Sequence, residues 1–268
     1  MTTTVNPIKA AVLAACLSLV TPLVGAQTFE AVRLYDAAPG NSGGSVGLAV
    51  IATRQYQGSD ESRNLLLPKL DYQWGNGWFA GTTNGLGVNL SSRADMAYGL
   101  RLTADLGRSQ SRSSALAGMG DVDAKPEVGG FFNYAFNRET FLTTSLRYGS
   151  GNDSKGLLVD VGATYLRELA PQWRLGLRVA ATYANGEYMQ SYFGVDAAQA
   201  LASGYTAYKP GAGIRDVRAG VSVSYQLNPN MMIISALSLS SLQGDANGSP
   251  LNRKRTDATG IVAVSYGF

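Results

Sequence analysis

The sequence predicts an all-β transmembrane antiparallel barrel of about twelve strands, and three observations point to it. The first is its closing segment, Gly260 to Phe268, in which Val262, Val264, Tyr266 and Phe268 fall on one face while Ala263, Ser265 and Gly267 fall on the other, because successive strand side chains point to opposite sides. One face suits lipid and the other a crowded interior. The same alternation would also fit the last strand of a soluble sandwich, and the second observation decides between them. Residues 1–26 read as a secretory leader, with Lys9 as the positive charge, Ala10 to Leu23 as a short apolar run and Val24-Gly25-Ala26 before Gln27. Leu13-Ala14-Ala15-Cys16 has the form of a lipoprotein box, but the apolar run continues to Leu23, which favours cleavage after Ala26. The third is composition: 32 glycines, 14 tyrosines and a hydrophobic fraction of 45% suit alternating strands with small inward residues and interfacial aromatics. No stretch after the leader approaches the roughly 18 uncharged apolar residues of a membrane helix. The chain divides into a leader, 1–26, and one barrel domain, 27–268.

Strands are expected at 45–56, 65–75, 78–83, 85–91, 95–108, 125–136, 140–150, 156–168, 173–184, 212–227, 231–243 and 256–268. In the second, Leu66, Leu70, Tyr72 and Trp74 oppose Lys69, Asp71 and Gln73. The third and fourth are shorter than the roughly nine to eleven residues of a tilted spanning strand, so ten strands with an irregular 76–94 segment is the alternative. In the fifth, Tyr98, Leu100, Leu102, Ala104 and Leu106 oppose Arg101, Thr103 and Asp105; in the sixth, Val128, Phe132, Tyr134 and Phe136 oppose Glu127 and Asn133. The ninth is the clearest, with Trp173, Leu175, Leu177, Val179, Ala181 and Tyr183 against Arg174, Gly176, Arg178, Ala180, Thr182 and Ala184. An aromatic at each end of its apolar face reads as an interfacial girdle. Val217 to Leu227 alternates in the same way, and Asn228-Pro229-Asn230 turns it into Met231 to Leu242 as a hairpin.

An even strand count places both termini in the periplasm. The short links 75–77, 137–139, 169–172 and 228–230 then share the periplasmic side, and the longer ones, 57–64, 109–124, 151–155, 185–211 and 244–255, face outward.

Chemistry is largely excluded. The chain has no histidine, hence no usual general base or proton shuttle, and its single cysteine, Cys16, leaves with the leader. Loss of Lys9 leaves 21 basic against 19 acidic groups, a balance that does not imply nucleic acid. Asp245-Ala-Asn247-Gly248 and Asp121-Val-Asp123 lack the ligand count of a calcium loop and read as solvated turns. Gly85-Leu-Gly87 lacks the lysine and helix of a phosphate loop and reads as relief of crowding in a barrel wall. Ser249 has no histidine partner and no S-x-x-K helix accompanies it. No catalytic, cofactor-binding or metal-ligating residue is assigned, and an enzyme is not expected.

Alternation places a set of charges inward: Lys69, Asp71, Arg101, Asp105, Glu127, Arg147, Asp160, Arg174, Arg178, Asp216 and Arg218. They form either a polar conduit with charge selectivity or a salt-bridged filling, and their mixed signs favour the filling. Tyr188, Tyr192, Phe193, Tyr205 and Tyr208 crowd the 185–211 segment, and Asp196 is placed to cap one short helix there. That many aromatics need apolar cover, so the segment is expected to pack into the barrel mouth as a plug.

Tyr56-Gln57-Gly58-Ser59-Asp60, Ser191-Tyr192-Phe193-Gly194-Val195, Tyr208-Lys209-Pro210-Gly211-Ala212-Gly213 and Gly244-Asp245-Ala246-Asn247-Gly248-Ser249-Pro250 together resemble the MipA/OmpV outer-membrane family. The resemblance covers the whole mature chain and implies a Gram-negative outer-membrane protein. It further implies a scaffold that joins a lytic transglycosylase to a peptidoglycan-synthesising penicillin-binding protein, while other members are tied to osmotic adaptation or adhesion. The alternative function is a narrow porin-like channel. Outer-membrane lipid and the barrel-assembly machinery are the expected general partners, with Tyr266 and Phe268 as the assembly signal.

Overall fold

The computed structural model describes residues 40–268, so the leader reading of 1–26 lies outside the described residues. Twelve antiparallel strands close into one barrel. They are β1 (Gly43–Arg54), β2 (Ser62–Gln73), β3 (Trp78–Gly81), β4 (Gly85–Asn89), β5 (Met96–Asp105), β6 (Lys125–Ala135), β7 (Thr140–Ser150), β8 (Gly156–Ala170), β9 (Trp173–Ala184), β10 (Gly213–Asn228), β11 (Met231–Leu242) and β12 (Thr256–Gly267). Every neighbour in sequence is a neighbour in the wall, and β1 pairs with β12 to close it, Ser45 opposite Gly267 and Ala52 opposite Gly260. Closure removes the free edges that a sheet cannot expose to hydrocarbon.

The predicted facing holds strand by strand. In β12, Val262, Val264 and Tyr266 are exposed on the outside, as is Phe268 just beyond the strand, while Ala263 and Ser265 are buried toward the lumen. Leu100, Leu102, Val128, Leu146, Val161, Leu177, Val179, Leu237 and Leu239 continue this apolar outer belt. At the end carrying the short turns, aromatic pairs mark its rim: Trp173 with Tyr225 at 4.6 Å, Tyr72 with Trp74 at 5.0 Å and Tyr134 with Phe136 at 5.1 Å. Amphipathic rings at this level are the interfacial girdle of a membrane barrel.

The ten-strand alternative is not what forms, but the weak region is real. β3 and β4 make a stub hairpin shorter than the predicted 78–83 and 85–91, and pairing of β2 with β3 covers only Asp71 to Gln73. Thr82 donates to the Leu70 carbonyl, and Leu70 donates back to Thr82 Oγ1. Period two therefore points the missing N–H of Pro68 toward this same side, where no ladder partner waits for it, an edge position that proline tolerates. Gly87 in β4 lies under the Phe79 ring, where a Cβ would come within 2.4 Å of the ring and 2.5 Å of the Leu100 carbonyl. Glycine here is a packing requirement of the wall.

Candidate functional site: the lumen and its inserted loop

The long β9–β10 connection folds on local signals. Asn185 accepts from the Tyr188 N–H and caps α1 (Gly186–Phe193), with Glu187 in the first turn. Asp196 caps α2 (Ala197–Ser203) in a reciprocal capping box with Gln199, at 2.8 and 2.9 Å. One helix was expected and two form.

Tyr188, Met189 and Phe193 of α1 are buried against Leu158 of β8, Ala184 of β9, Leu242 of β11 and Ala246 of a third short helix, α3 (Gly244–Gly248). A second cluster joins Tyr56, Leu116, Met119, Val195 and Leu251, with Tyr205 and Tyr208 against it. Burying each large apolar side chain is worth roughly 1.5–3 kcal/mol, so the first cluster holds the connection to strands β8, β9 and β11 and the second holds it to the neighbouring connections. Polar contacts fix its register. The Ser249 hydroxyl donates to the Phe193 carbonyl at 2.7 Å, Tyr205 donates to the Ala115 carbonyl at 3.0 Å, and Tyr208 donates to the Asp245 carbonyl at 2.9 Å. The Asp245 carboxylate accepts the Gly211 N–H at 2.7 Å.

Beneath α1, the inward charges connect across four strands. Glu127 meets Arg147 at 3.4 Å, Arg147 meets Asp160 at 2.9 Å, Asp160 meets Arg218 at 2.8 Å, Arg218 meets Asp216 at 3.2 Å and Asp216 meets Arg215 at 2.6 Å. Thr182 adds a hydrogen bond to Asp160 at 2.6 Å, and Arg101 donates to Ser145 at 2.5 Å. The helix is tied into this ladder. Arg215 donates to the Tyr188 hydroxyl at 2.9 Å, the Tyr192 hydroxyl donates to Asp105 at 2.5 Å, and Arg108 donates to the Tyr192 carbonyl at 2.7 Å. Tyr188 and Tyr192 stack on each other at 4.5 Å. Burial pushes the Tyr188 hydroxyl up to about 12 and raises that of Tyr192, because an anionic phenolate is disfavoured there. Tyr56 is pushed to about 12 by burial first, with Tyr205 and Asp60 adding to it.

The other half of the lumen differs. A cavity of about 1260 Å³ opens there, lined by Lys69, Asp71, Phe79, Arg138, Glu139, Arg167, Arg174 and Ile234 among others. Lys69 pairs with Asp71 at 2.9 Å and also meets Ser45, and Asp71 accepts from Thr83. Arg174 is exposed at the cavity rim, and Arg178 is half-buried on the inward face of β9. The structure thus gathers Asp105, Glu127, Arg147, Asp160, Asp216 and Arg218 at one level of the lumen and leaves Lys69, Asp71 and Arg174 at another.

Arg215 escaped the pattern. Strict alternation from Asp216 would aim it at lipid, yet it is fully buried, because a bulge between Ile214 and Asp216 turns both charges inward. Two adjacent charges at the start of an apolar strand are the signal: one would otherwise face hydrocarbon, and a bulge resolves the conflict. Tyr56 and Arg108 were expected at the far ends of strands 45–56 and 95–108, but β1 ends at Arg54 and β5 at Asp105, so both belong to connections and are buried there without a periodic signal.

At the seam, Gly44 and Phe268 exchange backbone hydrogen bonds at 2.9 Å, and the Phe268 ring stacks on Tyr72 at 6.3 Å. Tyr266 lies exposed on the outer face one turn of the pleat away.

Residues 46–268 match the family described as MltA-interacting protein MipA. Solved structures of similar architecture include an outer-membrane channel of Pseudomonas putida F1, at 11% identity and TM-score 0.46 over 87% of this chain and 98% of that one. The NanC porin is similar at 11% identity and TM-score 0.45, over 82% and 98% of the two chains, and the KdgM porin at 10% and 0.44, over 84% and 99%. No curated protein matches the sequence significantly. Nearly the whole described chain falls within the family match: the chain belongs to the MltA-interacting protein MipA family, and its place is the outer membrane of a Gram-negative cell.

Proposed function

We propose that this MipA-family barrel is a non-enzymatic scaffold that holds a lytic transglycosylase, and with it a peptidoglycan-synthesising penicillin-binding protein, at the inner face of the outer membrane. The observation that carries this reading is the filled half of the lumen: α1 lies over a continuous ion-paired ladder, and Tyr192 is bonded to Asp105 and Arg108 from opposite ends. A barrel so filled is unsuited to bulk diffusion, and the family's printed description supports a lytic transglycosylase as partner. The 185–211 segment acts as the plug in this reading, and the charges at the turn end, such as Arg138 and Glu139 on the β6–β7 turn and Arg167 of β8 paired with Glu139, form the rim that meets a periplasmic enzyme. Photo-crosslinkers at Arg138 and Asn230 test it in intact envelopes. Capture of a lytic transglycosylase at these turn positions, and not at Leu201 on the loop side, is the expected result; no capture from the turns contradicts it.

A narrow gated channel is the second reading, favoured by the 1260 Å³ cavity at the turn end of the barrel. Displacement of α1 would have to join that cavity to the loop side.

A further inference from the structure

A smaller cavity of about 140 Å³ lies between the inserted loop and the wall, and its lining includes Arg54, Asp105, Arg108, Arg112, Arg215 and Asp257. Arg215 is paired with Asp216, and Arg54 approaches Asp257 at 3.6 Å and donates to the Asp60 carbonyl. Asp105 accepts from Tyr192 and from the Gly107 and Gly151 N–H groups. Arg108 is different. It is 4% exposed, donates one N–H to the Tyr192 carbonyl, leaves its Nε without an acceptor, and has no carboxylate within ion-pair distance among the described residues. Arg112 beside it is half-buried and donates only to the Gly107 carbonyl, at 3.4 Å.

A buried guanidinium stays charged, and an unpaired buried charge is costly. Tyr192 sits in the last turn of α1, so Arg108 meets the negative end of that helix, but a helix end offers only about half an elementary charge. Burial lowers the pKa of both Arg108 and Arg112; Arg112 adds to the lowering at Arg108, while Tyr192 and Asp121 act on Arg112 in the opposite sense. The local charge is therefore positive, and the hollow is large enough for more than one water, whose share of volume is about 30 Å³. We infer that this hollow is a binding site for an oxyanion carried by a small soluble solute, a phosphate or carboxylate group, with Arg108 as its main ligand and Arg112 as its second. The planar guanidinium fork suits such a group by bidentate hydrogen bonding. The inference stands apart from the scaffold reading, because it concerns the loop side of the lumen and no protein partner.

The test uses the full folded chain in detergent, with inorganic phosphate as one probe and glucuronate against neutral glucose as the other. Each is titrated at ionic strength matched with chloride, following heat release and thermal midpoint. Saturable binding by the wild-type protein, weakened about tenfold or more in Arg108→Met as loss of a charge-assisted hydrogen bond requires, is the expected result. Arg108→Met should also melt higher than wild type without phosphate, because it removes an unpaired buried charge. Binding of phosphate but not glucuronate, or the reverse, assigns the oxyanion class and supports the site. No saturable response beyond chloride overturns the inference, as does equal binding by wild type and Arg108→Met. If Arg108→Met fails to form a heat-modifiable barrel, Arg112→Gln is read in its place, and undiminished binding in that variant overturns the inference.

Discussion

On the loop side of the lumen, Asp160 is held by Arg147, Arg218 and Thr182 beneath a buried helix; on the turn side, Arg174 stands exposed at the rim of a 1260 Å³ cavity. Both residues occupy inward positions of regular alternating strands, one on β8 and one on β9. The difference comes from what covers them. The 185–212 connection brings apolar side chains back over Asp160, so its charges must find each other, whereas the short links at the other end, such as 171–172 and 229–230, bring nothing back and leave theirs in water. Pattern within a strand therefore sets the facing of a charge, and loop length sets its environment.

The largest effect is expected where the wall is closed. Removing Phe268 deletes the backbone exchange with Gly44 and the stack on Tyr72, and it should sharply reduce the heat-modifiable, folded fraction in outer membranes; an unchanged fraction would show that the seam does not need its terminal residue. Next comes the ladder. Asp160→Ala removes the acid that Arg147 and Arg218 share, leaving each with one acid, Glu127 and Asp216, and should cost about 3–5 kcal/mol in urea unfolding, as breaking a buried ion pair does. Arg174→Ala, the matched change in the open half, should stay within about 0.5 kcal/mol. Comparable losses at the two positions would erase the distinction between the halves.

A smaller effect is expected from pH. The hydroxyls of Tyr56 and Tyr188 are raised to about 12 in the folded protein against 10 for an ordinary tyrosine. For a group whose folded pKa is raised, stability is fully present below the unfolded value and lost as pH rises through the folded one. The loop should therefore loosen between pH 10 and about 12, seen as increased protease cleavage within 185–211 and a late rise in phenolate absorbance. The barrel wall should persist through the same window, and simultaneous loss of both would contradict local control by these tyrosines.

Much of the wall was legible because period-two alternation is dictated by a lipid outside and a packed lumen inside. The bounds of β7 and β9 coincide with their expected ranges, 140–150 and 173–184. β3 is shorter than expected because the chain turns at 82–84 into Gly85, and β4 starts where expected but ends at Asn89. Lumen contacts were less legible. Alternation fixes the facing of Arg147, Asp160 and Arg218, but it cannot say which acid meets which base, since that depends on shear between strands. Arg215 needed recognition of a bulge. Arg108, Leu116 and Met119 lie in the β5–β6 connection, Arg108 beyond the end of β5 at Asp105 where a strand to 108 was expected, and they owe their burial to tertiary cover from other connections, Tyr56, Val195 and Leu251 over Leu116 and Met119 and Tyr192 beside Arg108. The start of α1 was readable in principle from Asn185 and Glu187, a cap followed by an acidic first turn.

The central claim is that the inserted connection seals a barrel whose other half is open, and single-channel recording in planar bilayers tests it most directly. The intact protein should give no steady conductance, and deletion of residues 188–205, which removes Tyr188, Tyr192 and Phe193 from above the ladder, should produce discrete openings. Steady conductance by the intact protein, unchanged by the deletion, would contradict the seal and put the channel reading ahead of the scaffold.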